Sequence, residues 1–261
     1  SMSTYLTKLL TIIILIIFQQ LESFAQSNFE SKPIWTEEFQ KRHIPDSSYW
    51  SYTIGMQGKE LEFYTNNTKN IYCKSGNLIL RALNEKKGKA LCTSGRIHTQ
   101  GKVSFLYGKL EIKAKCPTGK GIWPAIWMVP EKWSLPFGEI DIMEYIDCWE
   151  SKKYQINVHV ETRDKGEKVR KMHPKMVNAN VSKYHLYTLE WYKDRLVFLL
   201  DNKKHYEFHK EEGKPWPFDK PYYLILNVAY GAWGGTCGMD ESIFPCEMKV
   251  DWIKYYKLKE Q

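Results

Sequence analysis

The chain has 261 residues, 43% hydrophobic and 15% aromatic, a composition that fits one ordinary globular domain, or at most two small ones, and excludes a disordered or fibrous chain. Its 38 Lys and Arg against 30 Asp and Glu leave a net charge of +8, but the basic residues are scattered among acids and form no long stripe, so no nucleic-acid partner is expected. Six cysteines spread from Cys73 to Cys246 without a CxxC pair speak against a zinc ribbon or a thioredoxin-like motif and leave structural disulfides or buried thiols.

Near the start of the chain, Lys8 precedes an apolar run at 9–18 broken only by Thr11, and Ser23-Phe24-Ala25 places small residues where a signal peptidase reads. Residues 1–25 are therefore expected to be a cleaved export signal, and 26–261 a single secreted domain. Ten residues of helix rise only about 15 Å against a hydrocarbon core of about 30 Å. No second candidate span follows, so no membrane association is expected after cleavage. The nearest cysteine beyond the run is Cys73, which favours a freely released protein over a lipoprotein.

From there the periodicity is that of strands. Residues 77–82, 109–115, 185–191, 196–201, 222–230 and 249–258 are short runs rich in Ile, Val, Leu, Tyr or Trp, punctuated by Gly, Asn, Asp or Pro. In 109–115, Leu110, Ile112 and Ala114 alternate with Lys109, Glu111, Lys113 and Lys115, the pattern of a strand with one wet face. No convincing amphipathic helix is available to carry crossovers. The expected fold is all-β, with antiparallel sheets in a sandwich or jelly roll.

Two stretches carry candidate chemistry. Along 119–128, Trp123, Ala125 and Trp127 share a strand face, which spaces two indoles about 13 Å apart as a platform for flat sugar rings; both are equally able to be core fillers. Along 136–145, Glu139, Asp141 and Glu144 put three carboxylates within six residues of an otherwise apolar strand, and burying unpaired charge is costly enough that they should share a polar cleft. Glu139 and Asp141 fall on one face, and Glu144 would fall on the other. A one-residue β-bulge between Asp141 and Glu144 returns it to the same face; without one, Glu144 is ordinary surface charge. Paired glutamates in a cleft suit glycoside hydrolysis, one as nucleophile or base and the other kept protonated as acid. Asp141 between them would share a proton with Glu139 and hold its orientation.

Further along, 163–175 carries Arg163, Lys165, Lys168, Arg170, Lys171 and Lys175 against Asp164 and Glu167, expected as a solvated loop, though an acidic or sulfated polysaccharide is able to exploit it. His205 and His209 have helical metal spacing but fall on a strand, where they stand about 13 Å apart, too far to share a zinc ion. An exported chain with an even cysteine count predicts at least one disulfide, Cys237 to Cys246 being the closest pair in sequence. Asn66 and Asn180 are in glycosylation sequons.

The run Gly138-Glu139-Ile140-Asp141-Ile142-Met143-Glu144-Tyr145 resembles the signature of glycoside hydrolase family 16, in the bulged form found in laminarinases and related endo-β-glucanases. The similarity continues in order through Ser94-Gly95-Arg96-Ile97, Tyr107-Gly108-Lys109-Leu110-Glu111, Gly121-Ile122-Trp123-Pro124-Ala125-Ile126-Trp127-Met128, Trp216-Pro217-Phe218-Asp219, Leu226-Asn227-Val228-Ala229-Tyr230-Gly231 and Val250-Asp251-Trp252-Ile253-Lys254-Tyr255. The resemblance implies a β-jelly roll of two curved antiparallel sheets, concanavalin A-like, with the acids on a concave face. It implies Glu139 as nucleophile, Asp141 as its assisting carboxylate and Glu144 as general acid/base, with Arg96, Trp123, Trp127, His159 and Trp233 lining the sugar-binding cleft. His159 and Trp233 also admit purely structural readings, as a hydrogen-bonding strand residue and as the cover of a Gly-rich turn. Tyr230 departs from the Val-Gly-Gly continuation usual in family laminarinases. By resemblance, Asp251 with backbone oxygens of Glu38 and Gly76 would hold a structural Ca²⁺, and catalysis needs no cofactor.

The expected activity is a secreted, retaining endo-β-glucanase acting on β-1,3- or mixed-linkage β-1,3/1,4-glucan, and the expected state is a monomer. The alternatives are a family member acting on galactan or sulfated galactan, a non-catalytic glucan-recognition module, which typically lacks the two glutamates, and a transglycosylase.

Overall fold

A computed structural model describes residues 2, 6, 8–14, 27–40 and 42–260. Residues 8–14 are helical and face solvent; the rest of the apolar run and the Ser23-Phe24-Ala25 cleavage position lie outside the described residues. Among the described residues no helix is long and apolar enough to cross a membrane.

Two antiparallel sheets share one core, giving the β-jelly-roll sandwich expected from the alternation. The cleft sheet runs, in spatial order, Glu167–Met172, Lys153–Asp164, Phe137–Glu144, Ile122–Pro130, Tyr222–Tyr230, Arg96–His98 and Ser51–Tyr52, with Lys175–Asn178 also paired to Lys153–Asp164. The outer sheet runs Lys203–His209, Arg195–Leu200, His185–Trp191, Gly108–Lys115, Cys246–Tyr256, Asn77–Ala82 and Ile71–Lys74, with Trp35–Glu37 against Cys246–Tyr256. A short parallel pair, Glu62–Tyr64 with Cys92–Ser94, completes it. Three expected strands, 77–82, 185–191 and 222–230, have the expected bounds, and the other three shift by one to three residues.

Between the sheets, alternate residues of facing strands interdigitate: Ile126, Met128, Ile140 and Leu226 from the cleft sheet meet Leu110, Ile112, Leu189 and Ile253 from the outer one. Each such side chain, fully buried, contributes about 1.5–3 kcal/mol against leaving it in water. Gly138 is required by this packing, because a Cβ there would overlap the Tyr222 hydroxyl and the Phe218 ring beneath the strand.

One expectation is corrected. Residues 163–175 are not a solvated loop: the end of Lys153–Asp164 and all of Glu167–Met172 form a hairpin in register from Asp164↔Glu167 to His159↔Met172. Lys165 (φ 48°) and Gly166 (φ 86°) make its two-residue turn, the positive-φ pair that matches strand twist. Charges on both faces of Glu167–Met172, almost wholly exposed, hide the alternation from sequence. They also blunt an open sheet edge against association.

Candidate active site

On the strand Phe137–Glu144, Asp141 lies opposite Asn157 on one neighbour and Trp127 on the other, and Glu144 opposite Gln155 and Ala125. Three steps along this strand thus match two on each neighbour. This is a one-residue bulge, and it returns Glu144 to the face of Glu139 and Asp141. It also lets Ile142 and Met143, adjacent in sequence, both enter the core.

The acids are held in different electrostatic states. Burial, and then the negative fields of Asp141 and Glu139, push the Glu144 carboxyl well above the usual carboxylate range, with His159 opposing more weakly. Asp141 is likewise raised, first by burial and then by Glu139. Both prefer to hold a proton. Glu144 Oε1 accepts a hydrogen bond from Trp123 Nε1 at 3.2 Å. On the other side, Arg170 forms an ion pair with Glu139, and its Nε donates to His159 Nδ1 at 3.2 Å. A guanidinium only donates, so Nδ1 is the accepting nitrogen. Burial lowers the His159 pKa, so the ring is neutral with its proton on Nε2, which donates to Asp141 Oδ2 at 2.7 Å.

The expected cleft residues come together on this face. Trp127 Nε1 donates to Asn227 Oδ1 at 2.8 Å, Asn227 donates to the Tyr64 hydroxyl at 3.1 Å, and the Arg96 guanidinium lies 5.1 Å from the Trp127 ring centre. The two indoles are therefore not a bare platform, since one face of Trp127 is taken by a cation. Trp233, in the short turn Ala232–Gly235, meets Trp123 edge-to-face at 5.3 Å and Trp149 at 5.6 Å. Tyr230 does not enter the cleft: it pairs with Ile122 in the core-facing row and packs on Phe244 at 4.9 Å. The departure from the family pattern changes the underside of the sheet.

The expected Cys237–Cys246 disulfide is also corrected. Cys237 bonds to Cys148, 89 residues away with Cα atoms 5.3 Å apart, and Cys246 is free. Cys246 begins an outer-sheet strand opposite Ala82, whereas Cys237 follows the Trp233 turn over the cleft sheet, so closeness in sequence is not closeness in space. The bond ties the Trp149 turn to the Trp233 turn at one wall of the cleft.

Arg170, Asn227 and Trp149 are site residues that sequence reasoning missed. Asn227 had a readable signal, a polar residue buried in the apolar strand Tyr222–Tyr230. Arg170 was hidden among the other charges of its hairpin.

Donor atoms of Glu139, Asp141 and His159 lie within 4.8 Å of one another, spacing that suits a metal ion. The Arg170 cation already pairs with two of the three residues and the His159 proton points at Asp141, so the set reads as a charge relay. In the separate trio of Glu38, Gly76 and Asp251, Glu38 follows and Gly76 precedes strands that flank the strand of Asp251. Trp35–Glu37 pairs along Cys246–Tyr256 as far as Glu37↔Ile253, and Asn77–Ala82 pairs along it as far as Leu78↔Val250. Both neighbours thus end beside Asp251, which sits at a bulge between Val250 and Trp252. A carboxylate with backbone carbonyls is the kind of donor set a hard cation takes.

A two-sheet sandwich with a bulged row of three acids over one sheet defines a glycoside hydrolase. The family model for Glycosyl hydrolases family 16 matches residues 51–254, and the chain belongs to that family. It is 33% identical over 253 residues to a beta-glucanase of Rhodothermus marinus, covering 87% of this chain and 85% of the relative. It is 33% identical over 236 residues to a keratan-sulfate endo-1,4-beta-galactosidase of Sphingobacterium multivorum, covering 86% of this chain and 55% of the relative. Among solved structures, the laminarinase from Rhodothermus marinus superposes with a TM-score of 0.80 at 30% identity, covering 88% of this chain and 98% of that one.

Proposed function

We propose that the chain is an endo-acting β-glucanase that hydrolyses internal linkages of β-1,3- or mixed β-1,3/1,4-glucan with retention of configuration. The observation that carries this reading is the bulged row itself, in which Glu144 is buried and held protonated while Glu139 is paired with a guanidinium. Glu139 attacks the anomeric carbon as Glu144 gives its proton to the departing glycosidic oxygen, which keeps the bonding electrons. Glu144, now a base, takes a proton from water as that water displaces Glu139 from the anomeric carbon. Asp141 stands between the two and takes the His159 hydrogen bond. Nucleophile, acid and base are all side chains, so the chemistry requires no cofactor. The glucan substrate is supported by the Rhodothermus relatives and by the Trp123, Trp149 and Trp233 wall.

Export through a cleaved signal at 1–25 is part of the reading, supported by Lys8, the apolar run and Ser23-Phe24-Ala25, as is action as a monomer. A structural Ca²⁺ held by Asp251 with backbone oxygens of Glu38 and Gly76 is supported by the register, in which Glu38 follows and Gly76 precedes strands that flank the strand of Asp251. It would tie the first strand of the outer sheet to the last.

The test is a panel of laminarin, mixed-linkage glucan, lichenan, cellulose, xyloglucan, agarose, carrageenan and keratan sulfate with product sizing. Laminarin and mixed-linkage glucan should fall to short oligosaccharides, with the β-anomer released first. Cleavage of galactans alone would reject the substrate, and the α-anomer would reject retention.

A further inference from the structure

We propose that Arg170 is the positioning residue of the nucleophile. From an edge hairpin it holds Glu139 charged and oriented, and through His159 it fixes the hydrogen bond to Asp141. This rests on the reading of Glu139 as nucleophile.

The geometry uses two donors of one planar group. Arg170 Nη2 pairs with Glu139 Oε2, and Nε donates to His159 Nδ1 at 3.2 Å. The ring then passes the order on, its Nε2 donating to Asp141 Oδ2 at 2.7 Å. Glu139 Oε1 lies 3.6 Å from the same Nε2, so its two oxygens have different surroundings, Oε2 against the guanidinium and Oε1 near the imidazole Nε2. A rigid fork makes both contacts at once; a lysine ammonium is a point charge on a flexible stem and does not reproduce them.

The charge matters because three carboxylates share this face. Those on the strand of Glu139 are Asp141 and Glu144. The hairpin contributes His159, Glu161, Lys168, Arg170 and, at its turn, Arg163, whose Nη1 donates to the Gly166 carbonyl at 2.9 Å; the strand Ile122–Pro130 contributes no titratable side chain, and Tyr222 lies beneath. Lys168 is engaged by Glu161 at 3.8 Å, and His159 is neutral, so Arg170 is the cation that pairs with Glu139 among the described residues. A retaining site needs one carboxyl protonated and the other charged. Burial supplies the first at Glu144, and the Arg170 guanidinium pairs with the second, Glu139. When the glycosyl-enzyme breaks down, Glu139 departs as a carboxylate, and the same guanidinium meets the returning charge.

Surface ion pairs contribute little to stability, and the Arg170 side chain is 40% exposed. Its loss should therefore register in chemistry and leave melting unchanged. The probe is a 2,4-dinitrophenyl 2-deoxy-2-fluoro-β-laminaribioside. The Glu139 carboxylate bonds to the anomeric carbon as dinitrophenolate leaves with the bonding electrons, so no proton from Glu144 is needed. Trapping rate against pH is compared in the wild-type full chain, Arg170→Gln, Arg170→Lys and Lys168→Gln, with the labelled peptide identified by mass.

We expect the adduct on Glu139. In Arg170→Gln, trapping should fall about 100-fold, the scale of a nucleophile displaced by roughly 1 Å, and the acid limb should move to higher pH. Arg170→Lys should restore much of the limb but little of the rate, and Lys168→Gln should match wild type in both. An adduct on Glu139 with the Arg170→Gln limb unmoved, even if the rate falls at every pH, overturns the proposal and leaves the nucleophile standing. An equal limb shift in Lys168→Gln overturns it too, by showing a diffuse field. An adduct on another residue rejects the nucleophile reading, and the proposal with it.

Discussion

On one flank of the catalytic strand, Trp123, Trp127 and Asn227 are held by neutral hydrogen bonds on strands interior to the sheet, with Arg96 lying over an indole. On the other flank, His159 is held by its hydrogen bond to Asp141 and Arg170 by its ion pair with Glu139, and Arg170 stands on an exposed edge strand. The neutral flank presents aromatic edges and satisfied amides, a surface suited to uncharged sugar. The charged flank faces the nucleophile. Splitting the labour this way keeps the cation away from Glu144, whose acidity depends on burial and on negative neighbours.

The largest expected effect lies between the flanks. Glu144→Ala should lower glucan hydrolysis by about 10²–10⁴-fold, the worth of a general acid, while an aryl glycoside whose leaving group needs no proton still reacts in the first step. Azide should then capture the intermediate as the β-azide, and in Glu139→Ala any azide product should be the α-anomer. Reversed products would exchange the two roles.

Removing the clamp at the aromatic wall comes next. Cys148→Ser with Cys237→Ser should cost about 2–4 kcal/mol in urea unfolding and lower activity by loosening Trp149 and Trp233. A midpoint equal to wild type would show that the wall needs no covalent tie.

Trp127→Phe separates indole area from its hydrogen bond. Losing the donor to buried Asn227 should cost about 1–3 kcal/mol, the penalty of an unpaired buried polar group, and raise KM more than it lowers kcat. A matching fall in kcat with KM unchanged would place Trp127 with the charged flank's chemistry.

The smallest effect is in pH-dependent stability. Because Glu144 is raised on folding, its contribution is complete below the unfolded carboxyl range and is lost as pH rises through the folded value. Glu144→Gln escapes that loss. It should melt above wild type, with the gap widening from pH about 4 to about 7. A constant gap would mean that Glu144 is not held protonated.

Much of the site was legible along the chain because it is local. Glu139, Asp141 and Glu144 lie on one strand whose apolar alternation makes three acids conspicuous, and the parity mismatch of Glu144 itself calls for the bulge. Strand alternation likewise specified the sandwich, since a two-residue period with no helical segments leaves few other ways to cover an apolar face. Tertiary structure alone decided the partners. Cys237 bonds across 89 residues instead of nine, because one end of the nearer pair starts an outer-sheet strand. Tyr230 turns into the core because its register places it opposite Ile122. Arg170 reaches Glu139 only because a two-residue turn folds its strand back beside His159. A charge run in sequence states that side chains are solvated or paired, but pairing depends on which strands become neighbours, and that is settled by the burial of apolar faces elsewhere in the fold.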